Sequence, residues 1–333
     1  MSSPALIIIF LAGAAVSLSA SWVLVSRLER VGARLGLSEA LLGVVAALAA
    51  DAPEITASVT ALSGGHARIG AGVVLGSNVF NLAALLGLAA ILAGTIALHR
   101  RVIVLEGVVA VGLAVICVLV VVGAVPAPVG LGVAAALLGA YLLLLGVGAD
   151  RLRVLGVSVS LAMWLTAAVV DEESELEVAI HPQRGRARDA LVAGAAVLIV
   201  VGASVAMEQS GSTLGARRHV PGIIIGGLVL AAVTSLPNAV SAVYLAMRGR
   251  GAATLSTAMN SNAINVVVGL LLPGTIVGLG APGGPAAIVA VWYLGLTVLA
   301  LVCAFCAKGL RRSHGILIVL AYLAFVAVLL AVS

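Results

Sequence analysis

The sequence predicts an all-α, polytopic membrane protein of ten transmembrane helices arranged as two inverted five-helix repeats. Three observations carry this. Of the 333 residues, 62% are hydrophobic and 9% charged, with a mean hydropathy of +1.26, whereas a soluble domain carries about 25% charged residues. Ten apolar stretches are long enough to cross a hydrocarbon core of about 30 Å. Two polar motifs recur in the two halves at one fixed offset.

The stretches run over residues 5–25, 39–62, 69–94, 102–124, 128–148, 190–209, 221–247, 255–274, 284–306 and 315–332. Gly and Pro inside them do not argue against helices, because in lipid a helix is the economical way to pair every backbone group. The first stretch contains a small, polar LSAS near residue 20, but no basic residue precedes it. It therefore reads as a membrane helix with its N-terminus outside, not as a secretory signal.

A further segment, 152–170, is nearly long enough to span, and the arginines decide its place. With ten spans and the N-terminus outside, fifteen basic residues fall in cytoplasmic loops and only Arg68, Arg217 and Arg218 outside. If 152–170 also crossed, the count would become nine against nine, against the positive-inside rule. The chain thus divides into a first repeat at 1–149, a cytoplasmic connector at 150–189 and a second repeat at 190–333. Arg151 and Arg153 ahead of an apolar run suit a helix lying on the inner membrane surface. Loop arginines facing an anionic bilayer account for the net charge of +5, so no nucleic-acid partner is implied.

LAADAPEITASVTAL (48–62) aligns with AAVTSLPNAVSAVYLA (231–246), and LGSNVFNLAALLG (75–87) with MNSNAINVVVGLL (259–271). Pro53 meets Pro237 and Ser77 meets Ser261, each pair 184 residues apart, so both motifs keep one register. An odd number of spans per half turns the second half upside down relative to the first. That plan places a binding site at the repeat interface near mid-membrane, on interrupted helices. The interruptions are Pro53 and Pro237, which cannot bond the carbonyls of Ala49 and Val233. Those two carbonyls are expected to be free for a cation.

Residues three or four apart share a helix face. Asp51, Glu54 and Ser58 form one stripe, with Thr56 to its side, and Ser235 and Asn238 form its counterpart, with Thr234 beside it. Ser77, Asn78 and Asn81 do the same on the next span of the first half, and Ser261, Asn262 and Asn265 on that of the second. All are oxygen donors, which suits hard cations such as Ca2+, Na+ or Mg2+ and suits Zn2+ or Cu+ badly. Asn78 and Asn262 read as joining helices by hydrogen bonds, and Gly76 and Gly87 as permitting close packing. Asp51 and Glu54 are different, because each acid at a bilayer centre costs about 2.5–3.5 kcal/mol on insertion scales. Two acids one turn apart also repel, so without a cation at least one holds a proton, and proton and metal compete for the same oxygens.

The other acids read as peripheral: Glu106 near the inner surface, Glu208 near the outer one, and Glu39 in the first turn of a helix. The five histidines fall in loops, and Cys117, Cys303 and Cys306 within spans, without the companions of a metal set. No zinc-binding His-Glu motif, activated nucleophile or phosphate loop suggests an enzyme or a bound cofactor, and nothing signals an oligomeric state.

DAPE with GSNVFN, and TSLPN with NSNAIN, resemble the alpha repeats of the sodium/calcium exchanger superfamily of cation/calcium antiporters, and the likeness covers most of the chain. The resemblance implies an antiporter in which Glu54 binds the cation, helped by Asn81, neighbouring hydroxyls and carbonyls. Where that family has a second acid this chain has Asn238, where it often has another it has Asn265, and Asp51 stands where a hydroxyl is usual. Negative charge has thus moved into the first half. The expected function is export of Ca2+ across a bacterial inner membrane in exchange for Na+ or H+. Proton-coupled exchange of Mg2+, Mn2+ or a monovalent ion, and a channel-like or non-transporting relative, are the alternatives. Charge is assigned to Asp51 and Glu54, and neutral oxygens to Asn81, Asn238, Asn265, Ser58, Thr234, Ser235, Ser77 and Ser261.

Overall fold

A computed structural model of the chain describes residues 1–35, 39–146, 158–177, 186–280 and 284–333. Of the connector at 150–189, residues 150–157 and 178–185, including Arg151, Arg153 and His181, lie outside the described residues. In chain order the helices are α1 Ser3–Leu35, α2 Glu39–Ala50, α3 Ala52–Ser63, α4 Ala67–Ala93, α5 Arg100–Val121, α6 Ala127–Gly146 and α7 Val159–Glu177. The second half follows with α8 Ala187–Arg217, α9 Gly222–Thr234, α10 Leu236–Met247, α11 Gly251–Val277, α12 Gly284–Ala307 and α13 Arg312–Val332. Eight helices are long and apolar enough to cross a membrane, and the bent pairs α2–α3 and α9–α10 bring the number to ten. Every apolar stretch in the sequence is therefore a helix or a bent pair.

The repeat extends well beyond the motifs. Helices α3 and α10 begin at residues 52 and 236, α4 and α11 at 67 and 251, α5 and α12 at 100 and 284, each pair 184 apart. The same offset joins two pairs of left-handed glycines past helix ends, Gly65 with Gly249 (φ +79° and +74°) and Gly94 with Gly278 (+82° and +86°). A residue with a Cβ resists that conformation, so both halves stop these helices with the one residue that adopts it freely. At the prolines the chain bends by 52° between α2 and α3 and by 48° between α9 and α10.

The structure departs from an all-helical chain at one place among the described residues. Strand β1 (Thr95–Ala97) pairs antiparallel with β2 (Gly309–Arg311), Ile96 opposite Leu310. This three-residue ladder ties the end of α4 to the start of α13.

Helices α4 and α11 form the centre: 83% of the most apolar stretch of each is buried in protein, against 28% for α1 and α8, which pack along each other at the periphery. Large apolar side chains such as Ile8, Leu11, Leu191 and Leu198 are exposed on that outer pair, the surface a bilayer would cover. Helix α4 turns into π geometry at Leu82–Leu88, directly after its GSN motif, and α11 does so at Asn265–Leu271. A third π stretch, Ile225–Leu230, crosses α4 through glycines. A Cβ on Gly76 would lie 2.2 Å from the Gly227 carbonyl oxygen, and one on Gly226 2.2 Å from that of Ile69. Both obstacles are backbone, which cannot swing aside. Gly76→Ala is therefore expected to lower the melting temperature of the detergent-solubilised protein, at a cost of about 1–3 kcal/mol for overpacking. A melting curve unchanged by the substitution would show that this crossing is loose.

Candidate cation site

The four central segments converge where both helix pairs are broken. Asp51 occupies the position before α3, with Pro53 just behind it, and Ser235 stands in the same position before α10 and Pro237. A proline in a first helical turn loses no intrahelical bond, so each break is also a well-formed helix start. Asp51, Glu54, Ser235 and Asn238 thereby face the midsections of α4 and α11. Asp51 and Glu54 both have 0% exposure.

Each carboxylate of the first half is held by neutral groups of the second. Glu54 accepts hydrogen bonds from the Ser235 hydroxyl and from Asn265 Nδ2 at 2.8 Å. Asp51 Oδ1 accepts from Asn238 Nδ2 at 2.6 Å and from Ser261 Oγ at 2.7 Å. The Asp51–Asn238 and Glu54–Ser235 contacts exchange under the 184-residue offset, so they are one contact seen from two sides of a pseudo-two-fold axis. On that axis Asn78 Nδ2 donates to the Asn262 carbonyl at 3.2 Å, and Asn262 Nδ2 returns the bond to the Asn78 carbonyl at 3.2 Å.

Several buried oxygens in this network have no partner: Asp51 Oδ2, Asn81 Oδ1, Asn265 Oδ1 and, nearby on α4, Ser77 Oγ. Asn81 joins the network through Nδ2, which donates to Ser261 Oγ and Asn262 Oδ1, each at 3.0 Å. An unsatisfied buried polar atom costs about 1–3 kcal/mol. Unused oxygens around two carboxylates are the chemistry of an oxygen-seeking cation. Among the described residues the ion pairs are Arg27 and Arg30 with Asp189, and His66 with Glu208; none reaches Asp51 or Glu54.

Two of the hydroxyls expected at the site are engaged elsewhere. Ser58 Oγ bridges the carbonyls of Gly70 at 3.0 Å and Gly269 at 2.9 Å, pinning α3 between α4 and α11. Thr234 Oγ1 donates to Leu230 O in its own preceding turn at 2.9 Å. Nor is the carbonyl released by Pro53 free: Ser21 of α1 donates to Ala49 O at 3.1 Å.

Two acids read as peripheral are buried. Glu106 has 1% exposure and accepts from Tyr141 OH at 2.8 Å, while Glu208 has 2%, with His66 Nδ1 at 3.9 Å from its Oε1. A place near a membrane surface does not leave them exposed: α6 and α11 cover Glu106, and the α3–α4 turn covers Glu208. His314 likewise lies in the first turn of α13, not in a loop.

A cavity of about 490 Å3 opens between the halves, lined by Gly65–Ile69 on one side and by Gly222, Ile223, Leu279 and Gly280 on the other. It closes at Ala71, which lies about 10 Å along α4 from Asn78 at the α-helical rise. The carboxylates are thus sealed from it.

Among solved structures the fold is similar to that of the H+/Ca2+ exchanger CAX, with a TM-score of 0.71 and 13% identity over 97% of this chain and 82% of that one. It is also similar to the sodium-calcium exchanger NCX_Mj soaked with Na+ and Sr2+ (TM-score 0.61, 18% identity, 98% and 99%) and to native YfkE (0.61, 15%, 97% and 99%). No curated protein sequence matches at significance. The family model described as sodium/calcium exchanger protein matches residues 5–147 and 190–331, one segment in each half. With that match spanning both repeats, the chain belongs to the sodium/calcium exchanger family.

Proposed function

We propose that the protein is a secondary active antiporter that binds Ca2+ between Asp51 and Glu54 and exports it from the cytoplasm across a bacterial inner membrane, in exchange for H+ or Na+. The observation that carries this reading is the pairing of two fully buried carboxylates with neutral donors only. Two negative charges balance one divalent ion, two monovalent ions or two protons, so the same cage can travel loaded in either direction. The distribution of basic residues puts the Arg100, Arg248 and Arg312 ends of the helices inside, and hence the 490 Å3 cavity outside.

The residues around the carboxylates suit such an exchange. Ser235, Asn238, Ser261 and Asn265 are all both donors and acceptors. They point N–H and O–H groups at Asp51 and Glu54, and for a cation each hydroxyl can rotate and each amide can turn to present oxygen. Two buried acids one turn apart repel unless one of them holds a proton, which favours H+ as the returning ion. Neighbours named as an H+/Ca2+ exchanger and a sodium-calcium exchanger support the choice of ions.

Purified protein in liposomes tests it, with Ca2+, Mg2+, Mn2+ and Na+ gradients imposed in turn and internal pH followed by a trapped dye. Ca2+ is expected to move with a countervailing pH or Na+ change. Mg2+ or Mn2+ moving in its place would reassign the cargo, and cation conductance without any counterflow would replace the antiporter by a channel.

A further inference from the structure

We propose that Glu106 is a second proton-carrying site, on the inner side of the transport path, that exchanges protons with Asp51; the assignment rests on the antiporter reading above. Glu106 lies in the second turn of α5 with 1% exposure. Its Oε1 accepts from Tyr141 OH on α6 at 2.8 Å, and its carboxyl group is also in hydrogen-bonding contact with Ser256 on α11. Ser256 Oγ in turn accepts from Asn260 Nδ2 at 2.9 Å.

The fold does not require an acid there. The residue at the same place in the second half, 184 positions on, is Ala290, fully buried and apolar. Packing at this position is therefore met by a methyl group, and a buried acid in a membrane helix needs another reason. Its placement supplies one. Ser256 and Ser261 stand on the same helix about 7.5 Å apart along the axis, and Ser261 donates to Asp51 at 2.7 Å. The polar residues of α11 thus lead from Glu106 to the cation site.

One carboxylate with two hydroxyls is too poor in charge and oxygens for Ca2+, which takes 6–8 ligands; a proton fits. The end of the bundle is the one carrying Arg100 and Arg101 at the start of α5, and α7 packs there against α5 and α11. The titratable groups on the helices around Glu106 are Arg100, Arg101 and Cys117 on α5, Tyr141 on α6, and Tyr293, Cys303 and Cys306 on α12, while α7 brings none between Val159 and Val170.

The test uses the full chain in liposomes with a trapped pH dye, together with melting curves across a Ca2+ series. Glu106→Gln is expected to slow Ca2+-driven proton movement about tenfold or more while leaving the Ca2+ concentration for half-maximal stabilisation within about twofold. Glu106→Asp should recover part of the rate, and Tyr141→Phe should displace the pH at which the rate is half-maximal. Proton movement in Glu106→Gln at the parent rate, or Ca2+ stabilisation lost in step with it, overturns the proposal. A parent protein that exchanges Ca2+ for Na+ with no pH change also overturns it and leaves the Asp51–Glu54 site standing. A parent protein that no cation stabilises takes down both.

Discussion

Glu54→Gln is expected to stop exchange while leaving a folded protein. Glutamine has the shape of glutamate and can still accept the Ser235 hydrogen bond, and Asn265 can turn its amide to meet the new N–H, so the bends and helix contacts survive. What disappears is one of two charges in a site with no exposure. Removing one partner of a buried charge interaction costs about 2–5 kcal/mol, and every 1.4 kcal/mol is about a factor of ten in affinity. The Ca2+ concentration that stabilises the protein should rise about a hundredfold or more, and uptake into everted vesicles should fall to background. Asp51→Asn is expected to do the same, with Asn238 turning to present oxygen. Because protons compete for these oxygens, the parent's half-saturating Ca2+ should rise as pH falls, and the dependence should flatten in both variants. Unchanged transport in both substitutions would remove the mechanism.

Asn238→Asp is expected to change how much charge crosses with each ion. Asn238 is the repeat counterpart of Glu54 and donates to Asp51 Oδ1 at 2.6 Å, so the substitution replaces a donor by a third carboxylate. With no cation the cluster must take up another proton or leave a buried charge uncompensated, which costs about 3–5 kcal/mol. Two results follow. In alkaline buffer without Ca2+ the variant should melt well below the parent, and Ca2+ should stabilise it by a larger margin, since occupancy at a hundred times Kd contributes about 2.7 kcal/mol. In liposomes the loaded site carries one more negative charge, so an imposed K+ diffusion potential should alter its Ca2+ flux differently from the parent's. Equal melting and equal potential dependence would mean that Asn238 does not face the cargo.

The spans and their breaks were legible because lipid leaves the backbone only one economical choice and because Pro53 and Pro237 cannot complete a helix ladder. The inverted plan was legible from Ser77–Asn81 and Ser261–Asn265 recurring at one offset. Less legible was which polar group each hydroxyl would meet. Helix spacing put Ser58 and Thr234 on the faces of Glu54 and Asn238, but it does not show the carbonyls of Gly70 and Gly269 that claim Ser58, nor the preceding turn that claims Thr234. The Ala49 carbonyl was expected to be free because its intrahelical donor is missing; its actual partner, Ser21, comes from another helix 28 residues earlier. That protein encloses Glu106 and Glu208 was not legible for a related reason, since burial in a bundle depends on neighbours that sequence distance does not reveal. The β1–β2 ladder is too short for any alternating pattern to announce.

On the proposed reading, the closure of Asp51 and Glu54 from every side also limits speed. A pore with a continuous aqueous path passes ions as fast as they diffuse, whereas a fully enclosed carboxylate pair releases its cargo only when whole helices shift. Collective motions of that kind take microseconds to milliseconds, which caps throughput at about 10^3–10^6 ions per second. The same enclosure keeps leakage low, because an ion that fails to trigger the shift goes back the way it came.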